Sequence, residues 1–207
     1  MINDYVAAET KDKIKNIIKP ENLNSRTVLL LVNAIYFKAD WKHKFDKSRT
    51  EEKDFYLEGS IPQKTSMMSG KFVELMADIP TAKSKMLRLP YKGDRIVLDI
   101  LLPNAKENGE FVSVDVVEKT LERTDILQEF ENYATKVEVI VSLPKFKIES
   151  THDSSVLKKA LSASGMTEMW CDGGQADFSG IIPGSGFCLS EVAFLLRVQF
   201  NNIPKPR

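Results

Sequence analysis

The longest apolar pattern in the chain lies over residues 27–38. Alternate residues of an extended strand point to opposite faces, and both sets are apolar here: Leu29, Leu31, Ile35 and Phe37 on one face, and Val28, Leu30, Val32, Ala34 and Tyr36 on the other. Such a pattern is typical of a strand buried on both sides. A buried helix is the alternative, but the β-branched and aromatic residues favour the strand.

Shorter patterns predict helices and strands interleaved along the rest of the chain. Helical spacing occurs over residues 2–18 with an interruption near 10–13, over 112–132 with a break near 123–125, and over 154–166. Strand-like runs occupy residues 72–76, 84–89, 95–102, 137–143 and 187–200. Residues 39–70 are polar and predict loops around isolated aromatic anchors. This order predicts an α+β fold with mostly antiparallel or mixed sheets, not a doubly wound parallel sheet.

The balance of charged residues limits the kinds of partner that we expect the chain to bind. Lys plus Arg and Asp plus Glu both number 29, so the formal net charge is zero. This balance gives no electrostatic footprint for nucleic acid or for an anionic membrane surface. No apolar run approaches the length of a membrane span. We therefore expect neither a nucleic-acid partner nor a membrane partner.

The sequence contains few residues of the types that act in catalysis. Its two histidines are His43, in a polar loop between lysines, and His152, in a Ser/Thr-rich turn, and we expect both to be solvated. Two histidines and two distant cysteines do not have zinc-site spacing. Residues 172–175 lack the lysine of a phosphate-binding loop and predict a turn. We expect no enzyme activity, no catalytic residues, no metal and no cofactor.

Cys171 and Cys188 are the only cysteines. A disulfide framework needs more cysteines in a shorter chain, so we expect two free or buried thiols. A single bridge that closes the short loop between them is the alternative. The pair does not fix the redox compartment.

Asn33 is the one polar residue in the middle of the apolar strand. An unpaired buried amide costs on the order of a few kcal/mol. We therefore expect Asn33 to be buried and hydrogen-bonded to adjacent strands or to a helix beneath the sheet. Such a node would control how neighbouring strands slide or separate.

Several separated motifs together resemble the serpin family of serine-protease inhibitors. The clearest are Asn33-Ala34-Ile35-Tyr36-Phe37-Lys38 followed by Trp41, and Ala176-Asp177-Phe178-Ser179-Gly180. Others follow in the family's order: Met67-Met68, Leu89-Pro90-Tyr91, Leu101-Leu102-Pro103, and Leu143-Pro144-Lys145-Phe146-Lys147-Ile148. The resemblance covers residues 2–192. It implies a single partial serpin domain over residues 1–207, the central part of the family's fold, with a divergent tail over 193–207.

The resemblance implies parts of three mostly antiparallel or mixed sheets with surrounding helices. It implies that Asn33 lies in the shutter beneath the central sheet and that Trp41 lies in the breach at the top of that sheet. In the family, a protease cleaves an exposed reactive loop, which then inserts as a new strand into the central sheet and drags the acylated protease along. The sheet would open here between residues 27–38 and residues 189–200.

The sequence also departs from the family. The family has a His-Lys pair where this chain has Phe194-Leu195, so the shutter histidine that would pair with Asn33 is absent. The family continues with an acidic pair, a glycine and an alanine-rich hinge, where this chain has Asn202-Ile203-Pro204-Lys205-Pro206-Arg207. Proline cannot donate a ladder hydrogen bond, so this tail does not suit an inserting hinge. We expect the chain to lack the first helices of the family and its reactive-centre loop.

Three functional hypotheses follow. By resemblance the chain is a serine-type endopeptidase inhibitor, and the partner of its full-length relatives is a serine protease. We expect that this chain in its present form does not inhibit a protease. The alternatives are a non-inhibitory binding or carrier protein on the serpin scaffold and a truncated product without function. The family resemblance implies an extracellular location; the N-terminus shows no secretory signal, which leaves an intracellular location open. Exposed apolar sheet surface would favour self-association.

Overall fold

The computed structural model describes residues 1–23, 27, 29–56, 61–106, 111–152, 154–171, 176–181, 183 and 187–199. The turn predicted over residues 172–175 lies outside these ranges. Residues 200–207 of the predicted divergent tail also lie outside them. The main elements in chain order are α1 (Ile2–Glu9), β1 (Leu29–Lys38), β2 (Thr50–Phe55), β3 (Gln63–Ile79), β4 (Ser84–Pro90), β5 (Val97–Pro103), α2 (Val114–Leu121), α3 (Ile126–Tyr133), β6 (Thr135–Pro144), β7 (Lys147–His152), α4 (Ser154–Ala163) and β8 (Leu189–Gln199).

The predicted α+β class is confirmed, and so is the break between the two central helices. Helix α2 begins after Ser113, whose hydroxyl accepts the Asp115 N–H at 3.3 Å. Helix α3 begins after Asp125, whose carboxylate accepts the Gln128 N–H at 3.0 Å. Side chains of this type satisfy the free N–H groups of a first helical turn. The break near residues 123–125 is therefore the C-terminus of one helix followed by the N-cap of the next.

The described residues separate into two compact units, and the expectation of a single domain stays a prediction. The first unit contains residues 1–38 and 147–199. Its three-stranded sheet has the order β1-β8-β7. Strand β8 is parallel to β1 and antiparallel to β7. The sheet is thus mixed, as the sequence predicts. It pairs β1, which lies early in the sequence, with strands that lie late in it.

One face of this sheet is covered by α1 and the segment after it, and among the described residues the other face is covered only near Leu29 and Val192, by Trp170 and residues of α4. Val6, Ile14, Ile17 and Ile18 are buried against one side of β1 and β8, where they contact Leu30, Val32, Ala34, Tyr36, Ala193 and Leu195. The alternate residues Leu31 and Ile35 are 51% and 42% exposed. The prediction that β1 is buried on both faces is therefore wrong for this structure. The apolar pattern indicates that both faces suit a cover, and the described residues cover the second face only beside Trp170 and α4.

The second unit, over residues 39–146, contains a five-stranded antiparallel sheet. Strand β3 pairs with β2 through its first residues, with β4 through its last residues, and with β6 along most of its length. Because β3 is continuous, the strands of the described residues are joined by hydrogen bonds into two sheets. The loops predicted over residues 39–70 are wrong in part, since β2 and the beginning of β3 lie there.

The core of the second unit lies where α2 and α3 cover the sheet. Phe130, Ile79 and Met86 are fully buried there with Ala77, Ala82, Val117 and Ile126. Arg88 of β4 donates to Asp99 of β5 at 2.7 and 2.9 Å and also bonds Glu131 of α3, with its guanidinium 4.5 Å from the centre of the Phe130 ring. The hydrogen bonds to Asp99 raise the pKa of Arg88 above its ordinary value. This ion cluster fastens α3 to the sheet edge.

No helix within the described ranges is both long and apolar enough to cross a membrane.

Candidate functional site: the β1–β8 pair and the Trp41 cluster

The parallel pair β1–β8 joins the two segments between which the resemblance predicts strand insertion. The pairing runs from Leu29 with Leu189 to Lys38 with Gln199, with one irregularity between Leu29 and Leu30. The two strands are directly hydrogen-bonded, so no strand lies between them in this state. A parallel ladder is slightly less stable per residue than an antiparallel one. Per residue, the seam between β1 and β8 is therefore slightly weaker than the antiparallel junction between β7 and β8.

Asn33, Phe194 and His152 form one row across the three strands. Asn33 is the register partner of Phe194, and Phe194 is the register partner of His152. The His152 and Phe194 ring centres are 5.9 Å apart at an interplanar angle of 30°. His152 Nε2 is also 2.8 Å from the Ser150 hydroxyl. The position opposite Asn33, where the sequence comparison with the family expects histidine, therefore carries a phenyl ring that cannot hydrogen-bond the amide.

Two expectations about this row need correction. His152 is exposed as predicted, but it belongs to strand β7 and not to a turn. Asn33 lies in the middle of β1 as predicted, yet it is exposed, and its side chain has no hydrogen-bond partner in the described part of the chain. The physical reason is the limited cover of this face, because among the described residues Trp170 and α4 reach it only near Leu29 and Val192. Its role as a shutter residue stays a prediction.

The covered face is fastened by polar contacts between α1 and the segment that follows it. The Asn3 amide donates to the Ile18 carbonyl at 2.8 Å, and its oxygen accepts the Ile18 N–H at 3.0 Å. The buried Thr10 hydroxyl donates to the Val6 carbonyl at 2.7 Å and accepts the Ile14 N–H at 3.0 Å. These bonds hold the apolar residues 14–18 against the sheet.

Arg197 connects that segment to both outer parts of the sheet. From β8 its guanidinium donates to the Lys13 carbonyl at 2.5 Å and lies 3.1 Å from the Glu149 carboxylate of β7. A hydrogen bond from Lys147, helped by the charge of Arg197, lowers the pKa of Glu149. A cavity of about 550 Å³ lies beside these groups. Arg197 and Glu149, which line this cavity, form an ion pair with one another.

The beginning of β8 is fixed by a disulfide bond between Cys171 and Cys188, whose Cα atoms are 4.9 Å apart. The expectation of two free thiols is therefore wrong. The bridge forms because Trp170 and Leu189 meet, with the Leu189 N–H donating to the Met169 carbonyl at 2.8 Å. Trp170 is buried, and its indole N–H donates to the Met166 carbonyl at 2.8 Å. Spacing along the sequence does not reveal this approach.

Trp41 belongs to the second unit, where it is the centre of an aromatic cluster. Its ring stacks on Tyr91 with centres 4.5 Å apart and contacts the edge of Phe45 at 6.1 Å. Phe45 in turn meets Phe72 at 4.9 Å. Backbone bonds from Lys42 to Pro90 and from Lys92 to Asp40 hold the strands of the cluster together. Burial raises the pKa of the Tyr91 hydroxyl. Trp41 is buried, and its breach role stays a prediction.

A polar pair beside this cluster was missed by the sequence analysis. His43 Nδ1 is 2.6 Å from Glu74 Oε1, and Glu74 on β3 is only 7% exposed. His43 is therefore not a simply solvated loop residue, because it is the hydrogen-bond partner of a buried carboxylate. The signal that could have found the pair is Glu74 itself, a charged residue inside the otherwise apolar run over residues 72–76.

Within the described ranges, no group of three or more His, Cys, Asp or Glu side chains could hold a metal ion. The notable features of the first unit are the direct parallel pairing of β1 with β8, exposed apolar residues of β1 and a disulfide at the beginning of β8.

Comparison with known proteins gives a consistent result. The family profile described as Serpin (serine protease inhibitor) matches residues 1–200. Alaserpin of Manduca sexta is 37% identical over 172 residues, which are 83% of this chain and 42% of that protein. Leukocyte elastase inhibitor of Xenopus tropicalis is 36% identical over 201 residues, 97% of this chain and 52% of that protein. The crystal structure of Serpin48 from Tenebrio molitor covers 95% of this chain and 50% of its own, with TM-score 0.76 and 32% identity. The chain thus spans about half the length of these relatives.

Proposed function

Because the chain belongs to the serpin family, we propose that it supplies the opening seam of a serine-protease inhibitor, with β1 and β8 as the two strands that separate to accept an inserted strand. The single observation that carries this proposal is the direct parallel pairing of β1 with β8. An inserting strand that is antiparallel to both would replace one parallel junction by two antiparallel ones. The seam therefore has a lower-energy state available to it.

The protein partner in this proposal is a serine protease. Support comes from the names of relatives, among them leukocyte elastase inhibitor and antichymotrypsin-2. We do not expect the 207-residue chain to trap a protease by itself, because Pro204 and Pro206 after β8 have no N–H groups to donate to a sheet ladder. The target protease depends on the cleaved loop, so no residue described above selects it.

Incubation of the chain with trypsin, chymotrypsin and neutrophil elastase, followed by denaturing electrophoresis, tests inhibition directly. A full-length inhibitory serpin serves as positive control. We expect cleavage of the chain or no reaction, and no covalent complex. A stable complex at the mass of protease plus serpin would contradict the proposed incompetence of this chain while supporting the inhibitor class.

Annealing of a synthetic strand tests the seam separately. A peptide of about 12 residues with alternating small and apolar side chains should raise the melting temperature of the chain if it inserts between β1 and β8. Hydrogen exchange should then show protection on both strands. If protection appears on β1 alone, the peptide has added to the outside of β1, and the seam proposal fails.

An extracellular location forms part of the proposal. The Cys171–Cys188 disulfide supports it, because disulfides persist in oxidising compartments and are rare in the cytosol. Thiol labelling of the natural protein in cell extracts and in culture medium would test this location. A reduced, label-accessible pair inside cells would contradict it.

A non-inhibitory binding protein is the second candidate. Phe194 favours it, since the ring opposite Asn33 removes the polar contact that the family resemblance expects in the shutter. This candidate differs from the first in the peptide experiment, where it predicts no insertion and no rise in melting temperature.

A further inference from the structure

Residues 13–18, which we call the crossing segment, lie across the seam between β1 and β8. The three isoleucines of this segment are buried together with Val6 against the covered face of the sheet. Val32 and Ala193 are register partners across the seam, and both pack against this cluster. The partly buried residues around the cluster belong to both strands: Leu30, Val32, Ala34, Tyr36, Ala193 and Leu195. The crossing segment therefore packs on side chains that face one another across the seam.

Packing of this kind opposes separation of the two strands. Neighbouring strands lie about 4.7–4.9 Å apart, so a strand inserted between β1 and β8 would increase their spacing to roughly 10 Å. Apolar side chains are in contact only when their carbon atoms approach to about 4.0–4.5 Å. Side chains that pack on both strands cannot keep both sets of contacts at the larger spacing. The crossing segment must therefore leave at least one strand before the seam opens.

The backbone in and just before the crossing segment has an unfavourable conformation. Lys11, Asp12 and Asn16 have φ values of 53°, 60° and 55°. This left-handed region is unfavourable for residues that carry a Cβ atom. Residues in such conformations persist where the surrounding structure fixes them. The position of the crossing segment therefore depends on contacts with neighbouring elements.

Two polar contacts fasten the crossing segment, one at each end. At one end, the Asn3 amide bonds both the N–H and the carbonyl of Ile18. At the other end, the Arg197 guanidinium donates from β8 to the Lys13 carbonyl. Arg197 is the register partner of Tyr36, so it belongs to the same row of cross-seam pairs as the apolar residues. Asn3 thus holds the segment from α1, and Arg197 holds it from the seam itself.

We infer that Arg197 is a positioning residue for the opening of the seam, because it holds the crossing segment over β1 and β8 and must release it before the two strands separate. This role is distinct from the ion pair with Glu149, which joins β8 to β7. A guanidinium suits the role, since a hydrogen bond from a charged donor is stronger than one between neutral groups. The inference rests on the proposed function for the purpose of the opening, whereas the hold itself is measurable without an inserted strand.

Hydrogen exchange of the full 207-residue chain measures the hold. Arg197→Met keeps an unbranched apolar side chain and removes the donors, so amides that bond across the seam should exchange at least about tenfold faster. Arg197→Lys retains a charged donor and should recover most of the protection. Amides between β3 and β6 in the second unit are the internal reference and should not change. An equal rise at the reference, or no rise at the seam, would overturn the inference.

Glu149→Gln is the matched control for the second contact of Arg197. It removes the charge on β7 that faces Arg197 and leaves the Lys13 carbonyl available to the guanidinium. Because an exposed ion pair contributes little, exchange across the seam should change by less than about threefold. An increase as large as that of Arg197→Met would mean that Arg197 serves the β7–β8 junction, and would overturn the inference.

Asn3→Ala tests the crossing segment from its other end and does not alter Arg197. Among the described residues, the hydrogen bonds of the Asn3 side chain go to Ile18. Exchange across the seam should nevertheless rise by at least about threefold, because the segment is loosened. This variant keeps the test decisive if Arg197→Met does not fold. Unchanged exchange at the seam in Asn3→Ala would show that the segment does not control it, which would overturn the inference.

The synthetic-strand experiment measures the consequence for opening. Arg197→Met should accept the peptide several times faster than the original chain, because the crossing segment no longer holds the seam closed. Equal rates of insertion into the two chains would overturn the inference. If neither chain accepts the peptide, the proposed function fails, and the exchange measurements on the free chain still decide whether Arg197 holds the segment over the seam.

Discussion

The two units differ in how far each completes its own core. In the second unit α2 and α3 cover one end of the sheet, and Phe130, Ile79 and Met86 have no exposed surface. In the first unit one face of the sheet is covered by α1 and residues 14–18, and the other face is covered near Val192 by Trp170 and α4 but leaves Leu31 and Ile35 exposed. Strands β4 and β5 of the second unit are near in sequence, whereas β1 and β8 come from distant parts of the chain. We therefore expect a mutation in one unit to change the stability of that unit more than the stability of the other.

The largest effect should come from the core of the second unit. Phe130→Ala removes a fully buried ring and should lower the free energy of unfolding by about 3–5 kcal/mol. Leu127→Ala is the matched control, since Leu127 lies on the same helix and is 54% exposed. Denaturant titration followed by tyrosine and tryptophan fluorescence measures both. If the two variants lose equal stability, α3 does not cover the sheet as described.

Loss of the disulfide should have the next largest effect and should concern the first unit. The bridge closes a loop with a sequence separation of 17, for which chain entropy gives about 3 kcal/mol. Cys171→Ser/Cys188→Ser should therefore unfold at lower denaturant concentration, with hydrogen exchange rising first in β8. The original chain treated with reductant should match the double variant. Unchanged exchange in β8 would show that Trp170 fixes the strand without the bridge.

His43→Ala should affect the second unit more modestly. It leaves the Glu74 carboxylate buried without its hydrogen-bond partner, which should cost about 1–3 kcal/mol. The double variant His43→Ala/Glu74→Leu should regain much of the loss, because an apolar side chain needs no partner at that position. Thermal unfolding of the original chain, the two single variants and the double variant completes the double-mutant cycle. Additive losses would indicate that the two side chains do not interact.

The smallest effect should come from Asn33→Ala. Replacement of a buried, hydrogen-bonded Asn33 would cost about 1–3 kcal/mol, but Asn33 is exposed and unpaired among the described residues. We therefore expect a change within about 0.5 kcal/mol. A loss above 1 kcal/mol, measured in dilute protein, would mean that a cover exists over the exposed face.

Local patterns were predictable where one element carries the whole signal. The alternation of Val137, Val139 and Val141 identifies β6, and the helical spacing on either side of residue 124 identifies α2 and α3. Strand β2 was missed because four of its consecutive residues are charged, which is the pattern of a loop as well as of a protected edge.

The remaining errors concern contacts between distant segments. The disulfide depends on the approach of the segment after α4 to the beginning of β8, and the His43–Glu74 pair joins residues that no periodicity connects. The exposure of Asn33 depends on what covers the sheet, and an apolar pattern states only that a cover is suitable. The position of Asn33 in β1 was therefore predictable, whereas its surroundings were not.

The long sequence distance between β1 and β8 also has a consequence during synthesis on the ribosome. Strand β1 ends at residue 38, but its partner β8 is complete only when residue 199 has emerged. At ordinary translation speeds β1 must wait about 10 to 30 s for that partner. The residues of the second unit are made in this interval and can pair among themselves. During the wait the edge of β1 that will pair with β8 has no partner, so a nascent-chain chaperone that binds short uncharged apolar segments should select this strand.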